Sequence, residues 1–232
     1  MESRRIRQAA AAGFLLLAAL ASGALAQDLE PRSYSNAPIG LNFLIGGFLY
    51  TRGDVAVDAS VEVTDARLQT RSAVLAYARS LDVWGRSAKF DVILPYTALD
   101  GQALVAGAPV KREVSGFGDP RFRFSINFYG APALPPEKFA EYHQDLIIGA
   151  SVQVTAPWGQ YDPDKLVNLG TNRWSVKPEL GASKAWGTWI VELSAAGMFF
   201  TDNDDFFGGN KRAQDPIYSA QAHIVHLLRS GI

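Results

Sequence analysis

From His143 to Ala156 apolar and polar residues take turns along the chain. Leu146, Ile148, Ala150, Val152 and Val154 fall on one side, while His143, Asp145, Gly149, Ser151, Gln153 and Thr155 fall on the other with Ile147. A period of two is the pattern of an extended strand. Length narrows the choice further. Globular strands run about 5–6 residues, whereas a tilted strand needs roughly 9–11 to cross a bilayer. The segment therefore reads as a strand between lipid and a polar lumen.

Other segments agree. Phe122, Phe124, Ile126 and Phe128 oppose Arg121, Arg123, Ser125 and Asn127. Val55, Val57, Ala59, Val61 and Val63 oppose Asp54, Asp58, Ser60, Glu62 and Thr64, with Ala56 on that second face. Trp174, Val176, Pro178, Leu180 and Ala182 oppose Arg173, Ser175, Lys177, Glu179, Gly181 and Ser183. Trp189, Val191, Leu193 and Ala195 oppose Thr188, Glu192 and Ser194. Weaker candidates are 41–50, 70–82, 87–96 and 217–228. About nine strands result, with ends good to roughly 2–4 residues. Alternation alone also fits a soluble lipocalin-like barrel. Tyr50, Trp84, Tyr96, Tyr129, Trp158, Trp174, Trp186 and Trp189 lie near strand ends, as the aromatic girdles of a membrane barrel require. Pro178 has no N–H for a ladder, so it predicts a bulge, a kink or a local break in pairing.

The N-terminus reads as an export signal over residues 1–26. Arg4, Arg5 and Arg7 precede an apolar stretch from Ala9 to Leu20, and Ala24-Leu25-Ala26 offers a cleavage site before Gln27. Beyond Ala26 no run of about 18 apolar residues occurs, which excludes a helical inner-membrane protein but not a barrel. The chain has no cysteine, so disulfides, zinc–thiolate sites and thiol nucleophiles are excluded. A net charge of −1 gives no reason to expect nucleic acid. The expected organisation is a signal peptide (1–26), a periplasmic segment (27–40) and an all-β, antiparallel transmembrane outer-membrane β-barrel (41–232).

Tight turns are expected at Val83-Trp84-Gly85-Arg86 and Trp186-Gly187, and long loops at 97–117, 131–142, 157–171 and 202–216. A periplasmic N-terminus then puts most long loops on the periplasmic side, against the habit of such barrels. Either the strand parity is off by one, or residues 27–40 hold an extra element. An odd strand count and the tail Leu227-Leu228-Arg229-Ser230-Gly231-Ile232 lead to the expectation of a chain truncated before barrel closure.

Several motifs carry a family resemblance. They are Tyr34-Ser35-Asn36-Ala37-Pro38-Ile39-Gly40-Leu41-Asn42-Phe43, Gly53-Asp54-Val55, Leu94-Pro95-Tyr96 and Gly116-Phe117-Gly118-Asp119-Pro120. The densest block runs from Pro157-Trp158-Gly159-Gln160-Tyr161-Asp162 to Glu179-Leu180-Gly181. In these the chain resembles the transporters of the meta-pathway of phenol degradation, Gram-negative outer-membrane barrels distantly akin to long-chain fatty-acid transporters. The resemblance implies passive passage of small hydrophobic or aromatic compounds across the outer membrane.

The expected lumen-facing polar residues are Asp54, Asp58, Glu62, Lys89, Asp91, Arg121, Arg123, Asn127, Arg173, Lys177, Glu179 and Glu192. Both signs occur, so ion pairs can offset desolvation. Asp162, Asp164, Asn168 and Asn172 are the expected loop or rim residues: Asp162 and Asp164 to cap turns or bind a cation, Asn168 and Asn172, with Arg173, to clamp the loop at the rim. Catalysis has little support. The three histidines, His143, His223 and His226, lack zinc-ligand spacing, and no nucleophile elbow, Walker loop or dinucleotide fingerprint occurs. No cofactor or metal is expected. The expected partners are outer-membrane lipid, lipopolysaccharide and a small hydrophobic or aromatic solute. The alternatives are a structural or surface-interaction barrel without a dedicated solute, and a soluble periplasmic lipocalin-like binder.

Overall fold

The computed structural model describes residues 31–54 and 63–228. The chain divides into Met1–Pro31 and Arg32–Ile232. The expected signal peptide, Asp58, Glu62 and nearly all of the expected 55–63 strand lie outside the described residues.

Arg32–Ile232 is built on one antiparallel sheet. Its members are β1 (Asn42–Asp54), β2 (Val63–Val83), β3 (Arg86–Val105), β4 (Ala108–Phe117), β5 (Arg121–Tyr129), β6 (Leu146–Thr155), β7 (Ser175–Trp186), β8 (Trp189–Phe200) and, last, β11 (Ile217–His226). A separate hairpin, β9 (Asn203–Phe206) with β10 (Asn210–Arg212), precedes β11. A one-turn helix, α1 (Pro136–Phe139), lies between β5 and β6. The sheet order is β1-β2-β3-β5-β6-β7-β8-β11, with β4 pairing only with the far half of β3. This is an open, curled half-barrel with β1 and β11 as its edges among the described residues.

Turn chemistry sets the connections. Trp84 and Gly85 have φ of 53° and 74°, and Ala106 and Gly107 have 48° and 78°. Two successive positive-φ residues make the turn whose twist matches antiparallel strands. The first is pinned by Asp82, whose Oδ1 accepts from Gly85 N at 2.7 Å.

The expected loop at 97–117 is therefore wrong. It forms the second half of β3 and all of β4, joined by the Ala106-Gly107 turn. Its outward side carries Asp100, Gln102, Lys111 and Glu113, so no hydrophobic period betrays the strand. The parity conflict also resolves. β1 pairs directly with β2 from Asn42↔Arg79 to Asp54↔Arg67. Residues 32–41, the 84–85 and 187–188 turns and the 130–145 connection then share one end of the sheet. The connections at 156–174 and 201–216 share the other.

Pro178 behaves as its chemistry demands. It pairs with Val152 on β6, while the β7–β8 pairs pass from Val176↔Phe199 to Glu179↔Ala196 without a shift in register. The ladder is broken only locally.

The sheet is turned inside out relative to a soluble one. Ser80, Lys89, Ser125, Ser151 and Glu179 are successive cross-strand partners and so share a face. On that face Ser80, Ser125, Asn127, Ser151, Gln153, Ser183 and Glu192 are buried. The opposite face exposes Leu75, Phe124, Val152, Leu180, Leu193 and Ile224. All eight aromatics singled out from the sequence are exposed as well. Trp174 to Trp186 spans the outward side of β7, and Trp189 to Phe199 that of β8. About 10–12 tilted residues match an apolar band roughly 25 Å tall. A lipocalin wall would bury the apolar side, so the lipocalin-like alternative is overturned. Leu180, 62% exposed and paired with Ala150 and Ala195, stands mid-band. Leu180→Arg is expected to cost about 2–4 kcal/mol in urea unfolding from liposomes.

Candidate functional site

The buried polar face holds a length of the chain's own backbone. Residues 32–41 lie against it. Pro38 O accepts from Ser80 Oγ at 2.5 Å, and Leu41 N donates to the same hydroxyl at 3.0 Å. Ile39 N donates to Leu134 O at 2.9 Å. Arg32 (φ 68°) and Gly40 (φ 80°) turn the segment at either end.

Tyr34 is its anchor. Gly149 and Gly181 are direct partners across β6 and β7. Together they leave a flat bed, and a Cβ on either would collide with the Tyr34 ring. Only glycine fits such a close approach. The Tyr34 hydroxyl donates to Glu179 Oε1 at 2.9 Å, and Asn127 Nδ2 donates to Tyr34 O at 3.1 Å. Ala131 and Ile147 complete a small buried cluster around the ring.

Four of the expected lumen residues contact this segment. Lys89 Nζ donates to Ser33 O at 2.6 Å. Arg32 N donates to Glu192 Oε2 at 2.7 Å, and Ser183 Oγ donates to Glu192 Oε1 at 3.0 Å. Thus Lys89, Asn127, Glu179 and Glu192, drawn from β3, β5, β7 and β8, converge on one short segment. Asp91 and Arg123 pair at 3.0 Å, and Lys177 approaches Glu179 at 3.8 Å. Arg121 follows on the same face. Arg173 is buried at the loop-bearing rim. His223 Nδ1 lies 4.0 Å from Glu192.

Asp54 departs from expectation. Its partner Arg67 carries it to the side shared by Phe48 and Tyr50, where the two form an exposed 3.2 Å ion pair. β1 is apolar on both faces from Phe43 to Leu49, so no alternation fixes its inside.

Of the four rim residues, Asp162 and Asn168 hold loop backbone with their side chains, and Asn172 holds another side chain. Asn168 Nδ2 donates to Asp162 O and Lys165 O at 2.9 Å each, and its Oδ1 accepts from Asp162 N at 3.0 Å. Asp164 N donates to Asp162 Oδ1 at 3.0 Å, and Asn172 Nδ2 donates to Asn203 Oδ1 at 3.0 Å. Among the described residues no group of three or more His, Cys, Asp or Glu side chains could hold a metal.

Sequence reasoning missed two residues that matter here. Tyr34 was visible only as part of a motif, although two mid-strand glycines hinted at a close approach. Asp119 was the other. Its carboxylate accepts from Gly159 N at 2.9 Å and from Thr171 N and Oγ1 at 2.7 Å each, tying the start of β5 to both ends of the 157–171 loop.

Burial pushes the Tyr34 phenol above its ordinary 10.0, with the Glu179 charge adding to the rise. The docked segment thus favours the neutral phenol. Docking is complete below the ordinary tyrosine pKa and weakens as pH climbs through the raised value. Sugar influx into liposomes should rise above about pH 10, and Tyr34→Phe should lack that step.

A sheet with an apolar, aromatic-girdled outer face and a polar, buried inner face is the wall of a transmembrane β-barrel. The chain belongs to the family described as "Putative MetA-pathway of phenol degradation", which matches residues 48–230. Its fold is similar to that of an outer membrane channel from Pseudomonas putida F1, seen in a crystal structure, with a TM-score of 0.63. The two are 23% identical, and the match covers 84% of this chain and 69% of that one. No curated protein matches the sequence.

Proposed function

We propose that this chain is a passive outer-membrane channel of a Gram-negative bacterium for small hydrophobic or aromatic compounds, with residues 32–41 narrowing its path. The observation that carries the reading is the inverted sheet, whose polar side is sheltered and whose apolar side is bare. Lipid and lipopolysaccharide contact the outer band. The end bearing residues 32–41, the 84–85 and 187–188 turns and the 130–145 connection faces the periplasm, and the 156–174 and 201–216 connections face outward, as longer outer loops do in barrels of this kind. The family's description and the channel-like fold support a transport role.

Coverage of the inner wall by residues 32–41 favours a second reading, a structural barrel that conducts nothing. Solute influx into liposomes containing the full, folded chain separates the two, with heat-modifiable gel mobility as the check on folding. Phenol and an alkylbenzene should enter faster than into empty liposomes, and a sugar should lag. Equal rates with and without protein would leave only the structural reading.

A further inference from the structure

At the loop-bearing rim one cation is stranded. Arg173 is 7% exposed, and its guanidinium lies 4.4 Å from the centre of the Phe200 ring. One terminal nitrogen donates to Gln214 Oε1, while the other is shut from water and has no partner. A second guanidinium, Arg212, stands over Phe206 at 5.4 Å. Among the described residues neither arginine has a carboxylate within salt-bridge reach. The nearby acid, Asp202, is held by Lys211 at 2.6 Å. The Arg173 pKa is lowered, first by burial and then by the charge of Arg212, with Asp202 opposing only in part.

Arginine keeps its proton, so this charge cannot be shed. A buried charge whose nearby acid is engaged by another cation calls for an anion. Gln214 Oε1 supplies a neutral acceptor where an anion's oxygen would be better placed. A carboxylate matches the planar donor edge of a guanidinium. Two flanking phenyl rings suit an aromatic body behind that carboxylate.

We infer that Arg173 and Arg212, with Phe200 and Phe206, form a rim site for a small aromatic carboxylate, which displaces the Gln214 amide on binding. The site deepens the channel reading, on which the choice of an aromatic ligand rests. Its occupant would be the charged counterpart of the solutes proposed above, held at the mouth.

The test is titration of the full, folded chain in detergent with benzoate, read calorimetrically, with benzyl alcohol and acetate as controls. Benzoate should bind saturably, and Arg173→Gln and Arg212→Glu should each weaken it about tenfold or more. Arg173→Gln risks disturbing the rim. Arg212 sits on an exposed hairpin, so Arg212→Glu keeps the test decisive. The site is overturned if benzoate fails to saturate, if benzyl alcohol or acetate binds as tightly, or if Arg212→Glu leaves benzoate affinity unchanged. Phenol influx is measured separately. Binding without influx would remove the channel reading and keep the site, and influx without binding would do the reverse.

Discussion

Tyr34→Ala should release residues 32–41 from the inner wall and turn a sugar-tight barrel into a leaky one. The ring is 5% exposed and lies on the Gly149–Gly181 bed. Removing a buried aromatic of this size costs about 3–5 kcal/mol. The hydroxyl bond to Glu179 goes with it, leaving that carboxylate with Lys177 at 3.8 Å. A loss of that size moves a docked-to-released equilibrium by a factor on the order of a hundred to a few thousand. Two measurements check it. Trypsin should cut after Arg32 far faster in the variant, and sugar influx into liposomes should climb toward that of the aromatics. Tyr34→Phe keeps the ring and loses one bond, worth about 1 kcal/mol, so its effect should be small. Unchanged proteolysis and influx in Tyr34→Ala would mean that the ring is not the anchor.

Asp119→Ala should dismantle the rim while sparing the sheet. The Asp119 carboxylate is the common acceptor for two backbone N–H groups and one hydroxyl. Each bond to a charged acceptor is worth about 1.5–3 kcal/mol, so the two stranded N–H groups alone cost roughly 3–6 kcal/mol. Gly159 and Gly170 both pack close against Asp119. A Cβ on Gly159 would stand 2.7 Å from Asp119 N, and one on Gly170 would stand 2.9 Å from Asp119 Oδ1. Trypsin should then cut at Lys165, and the emission of Trp158 and Trp174 should shift to the red. Heat-modifiable mobility should persist, because the β5–β6 and β6–β7 ladders do not involve Asp119. Asp119→Asn should fall between the two, since one side of the amide no longer accepts. Retention of native proteolysis in Asp119→Ala would dismiss the knot as incidental.

The facing of β5 to β8 was legible because lipid demands what a period of two can display. Phe124, Val152, Leu180 and Leu193 had to be apolar, and their neighbours did not. The far half of β3 and β4 was illegible for the same reason, since strands polar on the outward side leave no such trace. β1 failed in the opposite direction. From Phe43 to Leu49 both its faces are apolar, and Asp54 was assigned inward with the expected 55–63 strand. Lys89, Asn127, Glu179 and Glu192 stand out in the sequence as polar strand residues, but what they hold does not. Tyr34 and Glu179 lie 145 positions apart, and Arg32 and Glu192 160. A single sequence displays local period and turn chemistry. It does not display which distant backbone a buried carboxylate will receive.

Along the sheet each strand is coupled to its immediate neighbours. Residues 32–41 reach across, from Ser80 and Lys89 to Asn127, Glu179 and Glu192. The stretch proposed to narrow the path is thus also a crossbar bracing five strands from within. A barrel that opens by letting it go must grow softer as it does so. Conductance and stiffness are then opposite readings of one equilibrium, and warming should widen the pore before it melts the wall.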